Sequence, residues 1–293
     1  MRKDKFQNSM WAYLMIAPLV LGIGIFYIFP FFQNLYFSLT NLGAFGQFKF
    51  IGFKNYEKLI YDPKMYQALK NTFVYVLFSV PLGITCSTLV ATMLNSKIKG
   101  LTIYRVLYFL PAVTMPTAIA MVWRWMYNKE FGILNQFLSN FGFEPRAWLS
   151  DPQTALYAVI VVAIWSNIGY NMVILLAGLQ GIPKMYYEAA KIDGAGPVTC
   201  FFKITLPLLS PSLFFVTVMS FINSFQIFDL VFMMVNRTNP AFESSMTIVY
   251  FFYTNAFQMS ERGYAAAIAV VLFIIIMIFT WIQLKLQKKL VNY

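Results

Sequence analysis

The sequence predicts an all-α, polytopic membrane protein with six transmembrane helices, and three observations carry that prediction. Of the 293 residues 59% are hydrophobic and only 11% are charged, against about 25% charged in ordinary soluble domains. Six charge-poor runs reach the length of about 20 mostly apolar residues that a bilayer core requires. Between them lie short segments carrying Lys and Arg, with a bias in number to alternate sides.

The first apolar run lies within residues 6–48, with the span expected at 11–38. Arg2, Lys3 and Lys5 precede it like the positive region of a signal peptide, but the run is too long and lacks a small-residue cleavage site, so a retained anchor is expected. The second span is expected at 71–96 and the third at 104–126, around the charge-free run Val106 to Trp123 between Arg105 and Arg124. The fourth is expected at 155–179, the fifth at 204–234, running past Asp229, and the sixth at 263–284. Residues 244–260 carry Ser, Thr, Asn and Gln throughout and are slightly short. They are expected to form an external amphipathic helix lying against the membrane. Pro18, Pro30, Pro81, Pro111, Pro116, Pro207 and Pro211 fall inside spans, where proline kinks a helix and frees carbonyls. Pro111 and Pro116 either shape packing or serve gating.

With both ends in the cytosol, the inner segments (1–10, 95–105, 183–203, 285–293) hold 12 basic residues in 51 positions, and the outer segments hold 10 in 91. The bias is modest because Lys49, Lys54, Lys58, Lys64 and Lys70 crowd the first outer loop. It places residues 183–203 inside. Residues 11–284 then form a single transmembrane domain, flanked by cytosolic termini 1–10 and 285–293.

Composition also excludes functions. The net charge of +11 is spread over short loops rather than gathered in a patch, which points to topology and anionic lipid instead of nucleic acid. There are no histidines, which removes imidazole metal sites and Ser/His or Cys/His catalysis. Cys86 and Cys200 lack metal-ligand spacing and read as packing residues. No pair of carboxylates or nucleophile constellation lies at membrane depth, so a membrane-embedded enzyme is disfavoured. A proton- or sodium-coupled transporter would want several intramembrane ionisable groups, and Asp229 is the single candidate.

One polar stretch stands apart. Residues 182–203 lie between two spans; Pro183 suits a helix start, Met185, Ala189 and Ile192 recur at i, i+4 and i+7, and Gly194 with Gly196 supplies a stop. A second short helix is expected from Pro197. The spacing Glu188-Ala189-Ala190, three residues, Gly194, nine residues, Ile204, one residue, Leu206-Pro207 resembles the EAA loop of ABC importer permeases at every fixed position. Seven ordinary residues at set offsets coincide by chance at about one site in ten million or rarer. The stretch from Asn55-Tyr56 through Asp62-Pro63 to Asn71-Thr72, the run from Tyr104 to Pro111, Trp123-Arg124-Trp125-Met126 and Gly132-Ile133-Leu134-Asn135 are similar to the carbohydrate branch of these permeases, the maltose, lactose and glycerol-3-phosphate type. So is the run from Ala189 to Pro197.

The resemblance implies a type I importer permease whose loop is a cytosolic coupling helix seated on an ATPase. Glu188, Ala189, Ala190, Asp193, Gly194, Leu206 and Pro207 would be the coupling residues. Glu188 either pairs with a basic group of the ATPase or caps its own loop; Ala189 and Ala190 allow close approach, Gly194 permits the turn, and Leu206-Pro207 begins the fifth span. No G-x-x-x-x-G-K-[ST] occurs, so the chain itself is no ATPase and carries no cofactor; ATP and Mg would be bound by two copies of a partner ATPase. A second homologous permease, an extracytoplasmic solute-binding protein and a sugar substrate complete the implied assembly. Permeases for glycerol phosphate or peptides remain the alternative.

For substrate, Asn167, Tyr170 and Asn171 share one face of the fourth span, and Asn223, Gln226 and Asp229 spread over about 120° of the fifth. These amides either line a pathway or act as glue between spans.

Overall fold

The computed structural model describes residues 2–96 and 99–290; the expected terminal residues 1 and 291–293, and 97–98 of the second inner segment, lie outside the described residues. Among the described residues the chain is helical, with α1 Arg2–Ile23, α2 Phe29–Ser38, α3 Lys54–Tyr61, α4 Pro63–Leu94, α5 Leu101–Val113, α6 Pro116–Met126, α7 Ile133–Ser139 and α8 Ala155–Gln180. There follow α9 Lys184–Ile192, α10 Pro197–Cys200, α11 Leu206–Leu208, α12 Ser210–Phe225, α13 Asp229–Met234, α14 Phe242–Ser245, α15 Ile248–Tyr253 and α16 Arg262–Leu290.

Among the described residues four unbroken stretches are long and apolar enough to cross a membrane: Tyr13–Ser38, Pro63–Leu94, Ala155–Gln180 and Arg262–Lys288. The fourth expected span, 155–179, falls on α8, and the sixth, 263–284, falls within the longer α16. The second begins eight residues before the expected Asn71, because Pro63 sits at a helix start, where its missing N–H costs nothing.

The third and fifth expected spans are not continuous helices. Residues 104–126 divide into α5 and α6, bent by 99°. Thr114 and Met115 are extended there, with Pro116 opening α6, because proline drives the residue before it out of the helical region. Residues 204–234 divide twice, with a 67° bend between 197–208 and 210–225 and a second break at Gln226–Phe228. Leu206-Pro207 therefore closes a bent entry segment instead of opening the long helix.

Proline also explains two wide turns. A π-turn at Gly24–Ile28 precedes Pro30, with Phe29 N–H reaching back to Gly24 O. Another at Phe201–Thr205 precedes Pro207, with Leu206 N–H on Phe201 O. Proline's ring clashes with the carbonyl four residues back, and widening the turn relieves that clash without ending the helix.

The chain falls into two compact units. The first comprises residues 1–62 and 252–271. Its irregular loop is held by Asn55, whose Nδ2 donates to Ser38 O and Thr40 O, both at 2.8 Å. Tyr264 donates to Asp62 at 2.7 Å, and Lys58 pairs with Glu261 and lies over the Tyr264 ring. Gly263 N–H donates to Leu42 O at 2.9 Å, and any Cβ at Gly263 would collide with Thr40 O.

The second unit, 63–251 and 272–293, is built on α8. At Gly169 the backbone of α5 passes so close that a Cβ would fall 2.2 Å from Tyr108 O; at Gly178 it would meet Ser212 of α12 and Leu209 just before it. A core of Ala91, Leu94, Met172, Leu175, Leu176, Leu179, Ile182, Leu209 and Val216 joins α4, α8 and α12.

The stretch 244–260 is not a surface helix. It is broken at Met246–Thr247 and at a π-turn over Thr254–Gln258, and Ser245, Thr247, Ile248, Tyr250, Thr254 and Asn255 are buried. Its polar residues serve the interior. Thr247 donates to Ile227 O at 3.1 Å, and at the break Asn71 donates to Glu243 O and Met246 O, both at 2.9 Å, while Thr72 Oγ1 accepts from Ile248 N–H at 2.9 Å. Replacing Asn71 with Ala strips two carbonyls of their donor. The expected loss is about 1–3 kcal/mol, read as a lower midpoint of thermal unfolding in detergent, with Gln67→Ala as the milder control.

Candidate functional site

Two features stand out in the second unit: a polar cavity between α4, α8 and α12, and the loop 182–203 at the end of α8.

The cavity encloses about 200 Å³ and is lined by Tyr75, Ser79, Val80 and Gly83 of α4, Ala163, Ile164, Asn167, Tyr170 and Asn171 of α8, and Met219, Ser220, Asn223, Ser224 and the following Ile227. Helical spacing makes this wall. Residues 167, 170 and 171 rise at i, i+3 and i+4 on α8, and 220, 223 and 224 do the same on α12, so each helix turns one polar edge to the same space. Four of the six expected pathway residues therefore converge: Asn167, Tyr170, Asn171 and Asn223. Gln226 and Asp229 stay outside. The helix ends at Phe225 and restarts at Asp229, so angular positions reckoned along one continuous helix no longer apply.

The lining presents amides and hydroxyls and no ionised side chain. Asn171 is 8% exposed and Tyr170 48%; among the described residues neither side chain has a hydrogen-bond partner. Asn167 donates to Ala163 O at 2.8 Å, which turns its amide oxygen away from its own helix. Ser79 and Ser224 hydroxyls meet across the cavity at 3.4 Å. Such a wall exchanges hydrogen bonds with hydroxyl groups while Tyr170, Val80, Ile164, Met219 and Ile227 offer apolar contact. Tyr75, Ser79, Ser220 and Ser224 escaped the sequence reading, although Ser79 and Gly83 at i, i+4, and Ser220, Asn223 and Ser224 at i, i+3 and i+4, carry the signal.

The loop is built as its spacing implies. Pro183 is extended and precedes α9, Asp193 ends it, and Gly194 adopts φ +75°. Gly194 N–H donates to Lys191 O at 3.2 Å and Ala195 N–H to Ala190 O at 2.9 Å, the paired bonds of a Schellman turn. Gly196 is extended and α10 starts at Pro197. The helix is anchored on one side by buried Ala190 and by Tyr187, which packs on the core and bonds Thr205 at 3.1 Å.

The opposite side is open. Met185, Glu188 and Ala189 are exposed, and Ile192 is 87% exposed. The apolar recurrence at 185, 189 and 192 thus faces away from the chain's own core. The small pair is divided: Ala189 is open, whereas Ala190 is packed against its own protein. Glu188 does not cap the loop; among the described residues its carboxylate has no hydrogen-bond or ionic partner. Asp193 and Gly194 are exposed beside it. Leu206 and Pro207 lie apart, in an apolar groove of about 420 Å³ with Leu213, Phe214, Gln283 and Leu286.

Residues 79–292 match the family described as the binding-protein-dependent transport system inner membrane component. The chain belongs to that family. It is 36% identical over 287 residues to a probable ABC transporter permease protein, YurN, of Bacillus subtilis (strain 168), covering 96% of this chain and 97% of that one. To the arabinooligosaccharides transport system permease protein AraP of the same organism it is 34% identical over 288 residues, covering 97% and 91%. Its fold is that of a bacterial ABC transporter involved in the import of the acidic polysaccharide alginate, whose crystal structure superposes with a TM-score of 0.88 at 21% identity over 100% of both chains. The matched region of this permease family member contains the open-faced loop and every residue of the cavity wall except Tyr75.

Replacing Gly194 with Ala forces a side chain into the left-handed region, at a cost of about 1 kcal/mol, whereas Gly196→Ala meets open space at an ordinary φ. Hydrogen exchange at the amides of 194 and 195 should quicken roughly fivefold in the first variant and hold in the second.

Proposed function

We propose that this chain is one of two homologous permease subunits of an ATP-driven, binding-protein-dependent importer in the cell membrane, and that its substrate is an uncharged sugar or oligosaccharide. The observation that carries the substrate is the cavity wall of Asn167, Tyr170, Asn171, Asn223 and four hydroxyls, with no cation among them. A glycerol phosphate or uronate would call for a compensating charge at membrane depth. Permeases of sugar systems among its relatives support the same reading.

The energy comes from elsewhere. Two copies of a cytosolic ATPase bind ATP and Mg, and one docks on α9 through Met185, Glu188, Ala189 and Ile192, with Asp193 and Gly194 setting the edge of the contact. Leu206-Pro207 belongs to the bent segment behind that contact. Both termini and residues 182–203 lie on the cytosolic side, and the solute-binding protein delivers sugar to the other face. Closure of the ATPases draws the two α9 helices together. The core around Leu175, Leu179 and Leu209 passes that displacement to α8 and α12 as rigid bodies, opening the cavity to alternate sides.

Uptake by the reconstituted complex tests the substrate. Labelled neutral oligosaccharides should be taken up and sn-glycerol 3-phosphate should not, and Asn171→Leu with Asn223→Leu should lower uptake roughly tenfold or more while the complex still assembles, since buried polar groups left unpaired discriminate strongly. Unchanged uptake in the double variant removes the cavity from the pathway.

Docking has its own test. Burying an exposed Ile contributes about 1.5–3 kcal/mol, and an exposed ion pair about 0–1. Ile192→Asp should therefore weaken ATPase co-purification by roughly 10- to 100-fold, and Glu188→Gln by less than about fivefold.

A further inference from the structure

A second polar pocket, separate from the cavity, lies where α6 ends. It encloses about 350 Å³ and is lined by Arg124, Tyr127, Asn128, Lys129 and Glu130, by Ala147, Leu149 and Ser150, and by Met234 and Asn239. Its walls are fixed by Asn135, which is buried and makes five bonds. Nδ2 donates to Asn128 O, Lys129 O and Arg146 O, at 3.2, 3.2 and 2.9 Å, and Oδ1 accepts from Arg146 N and Trp148 Nε1, at 3.2 and 2.8 Å.

The chemistry of the lining is one-sided. Asn128 Oδ1 accepts from the N–H groups of Glu130 and Phe131, and Asn239 Oδ1 accepts from Ala241 N–H. The two bonds fill the acceptor capacity of Asn128 Oδ1, and Asn239 Oδ1 keeps one acceptor site, while both NH2 groups remain available as donors. Arg124 gives one long bond of 3.4 Å to Met233 O, and Lys129 and Ser150 add an ammonium and a hydroxyl. Against these donors stands a single carboxylate, Glu130. Donors outnumber acceptors in this lining, and the balance of Arg124 and Lys129 against Glu130 favours an anion. Sugar rings want an aromatic face, and Tyr127 cannot give one: its ring is buried and its hydroxyl is committed to Ala158 O at 3.2 Å. Burial pushes that hydroxyl's pKa up to about 12, so it stays neutral and bonded.

We infer that this pocket receives a carboxylate side chain of the solute-binding protein as it docks. The inference rests on the importer reading: with 182–203 facing the ATPase, residues 124–151 and 234–239 lie on the face where that protein arrives. The neutral cavity argues against an acidic substrate as the occupant, whereas an acidic side chain stays at the rim and never crosses.

The test uses the complete complex in lipid nanodiscs and the solute-binding protein that stimulates its ATP hydrolysis. Half-saturating binding-protein concentration is measured against NaCl concentration for wild type, Arg124→Gln, Lys129→Gln, the double variant and Arg124→Lys. The double variant should raise that concentration roughly tenfold or more at low salt and flatten its salt dependence; the loss falls on half-saturation rather than on maximal rate, and Arg124→Lys restores much of it. Half-saturation and salt slope unchanged in the double variant would overturn the pocket assignment alone. Competition by free glucuronate that disappears in the double variant would also overturn it, by making the occupant an acidic sugar. A wild-type complex that no binding protein stimulates would sink the importer reading, and this inference with it.

Discussion

Hydrocarbon offers no hydrogen bonds, so every peptide group that leaves a helix inside the membrane must be satisfied by the protein itself. The structure depends on that constraint. Where the chain breaks at Met246–Thr247, Asn71 and Thr72 reach across from α4 to take up the released backbone groups. Irregular loops are held by the same kind of side chain, with Asn55 bridging Ser38 and Thr40, and Asn135 gathering residues 128, 129, 146 and 148. These Asn and Thr residues act as substitutes for water. Where proline would tear the ladder, at Pro30, a π-turn absorbs the misfit and the helix continues to Ser38, whereas after Pro207 the helix ends at Leu208.

The same economy shapes the functional regions. α8 is a single unbroken helix whose middle carries Asn167, Tyr170 and Asn171 and whose end feeds the loop with Glu188. Two neighbours approach it at glycines, the α5 backbone at Gly169 and the side chains of Leu209 and Ser212 at Gly178. Such close packing leaves little slack, and Tyr187 and Ala190 hold α9 to the same core. The breaks in α5–α6 and around Leu209 flank this rigid element and supply the places where the bundle can bend.

Much of this was legible in the residues. The apolar runs expected at 155–179 and 263–284 fall on α8, Ala155–Gln180, and within α16, Arg262–Leu290, because long apolar helices leave a local hydropathy signal. Gly194 announced the Schellman turn, since few other residues accept φ +75°. Asn167, Tyr170, Asn171 and Asn223 were visible as polar exceptions in apolar helices. What failed to show was whether a long apolar run is straight. The third and fifth runs look like simple spans, yet Pro116 and the Leu209 region turn them by 99° and 67°. Proline marks where a helix can break, but Pro18, Pro81 and Pro111 sit inside unbroken helices, and only the surrounding packing distinguishes the two outcomes.

The sequence by itself determined the class of protein, the family motif and the two short helices of the 182–203 loop, because these follow from hydropathy, spacing and glycine's backbone freedom, all local properties. Tertiary structure decided which polar residues meet. It brought Tyr75 and Ser79 to the amides of α8 and α12, left Gln226 and Asp229 outside, buried the 244–260 stretch, and turned Ala190 inward while Ala189 stayed open. Those outcomes depend on close approach between segments far apart in sequence, and no local pattern encodes the angle at which they cross.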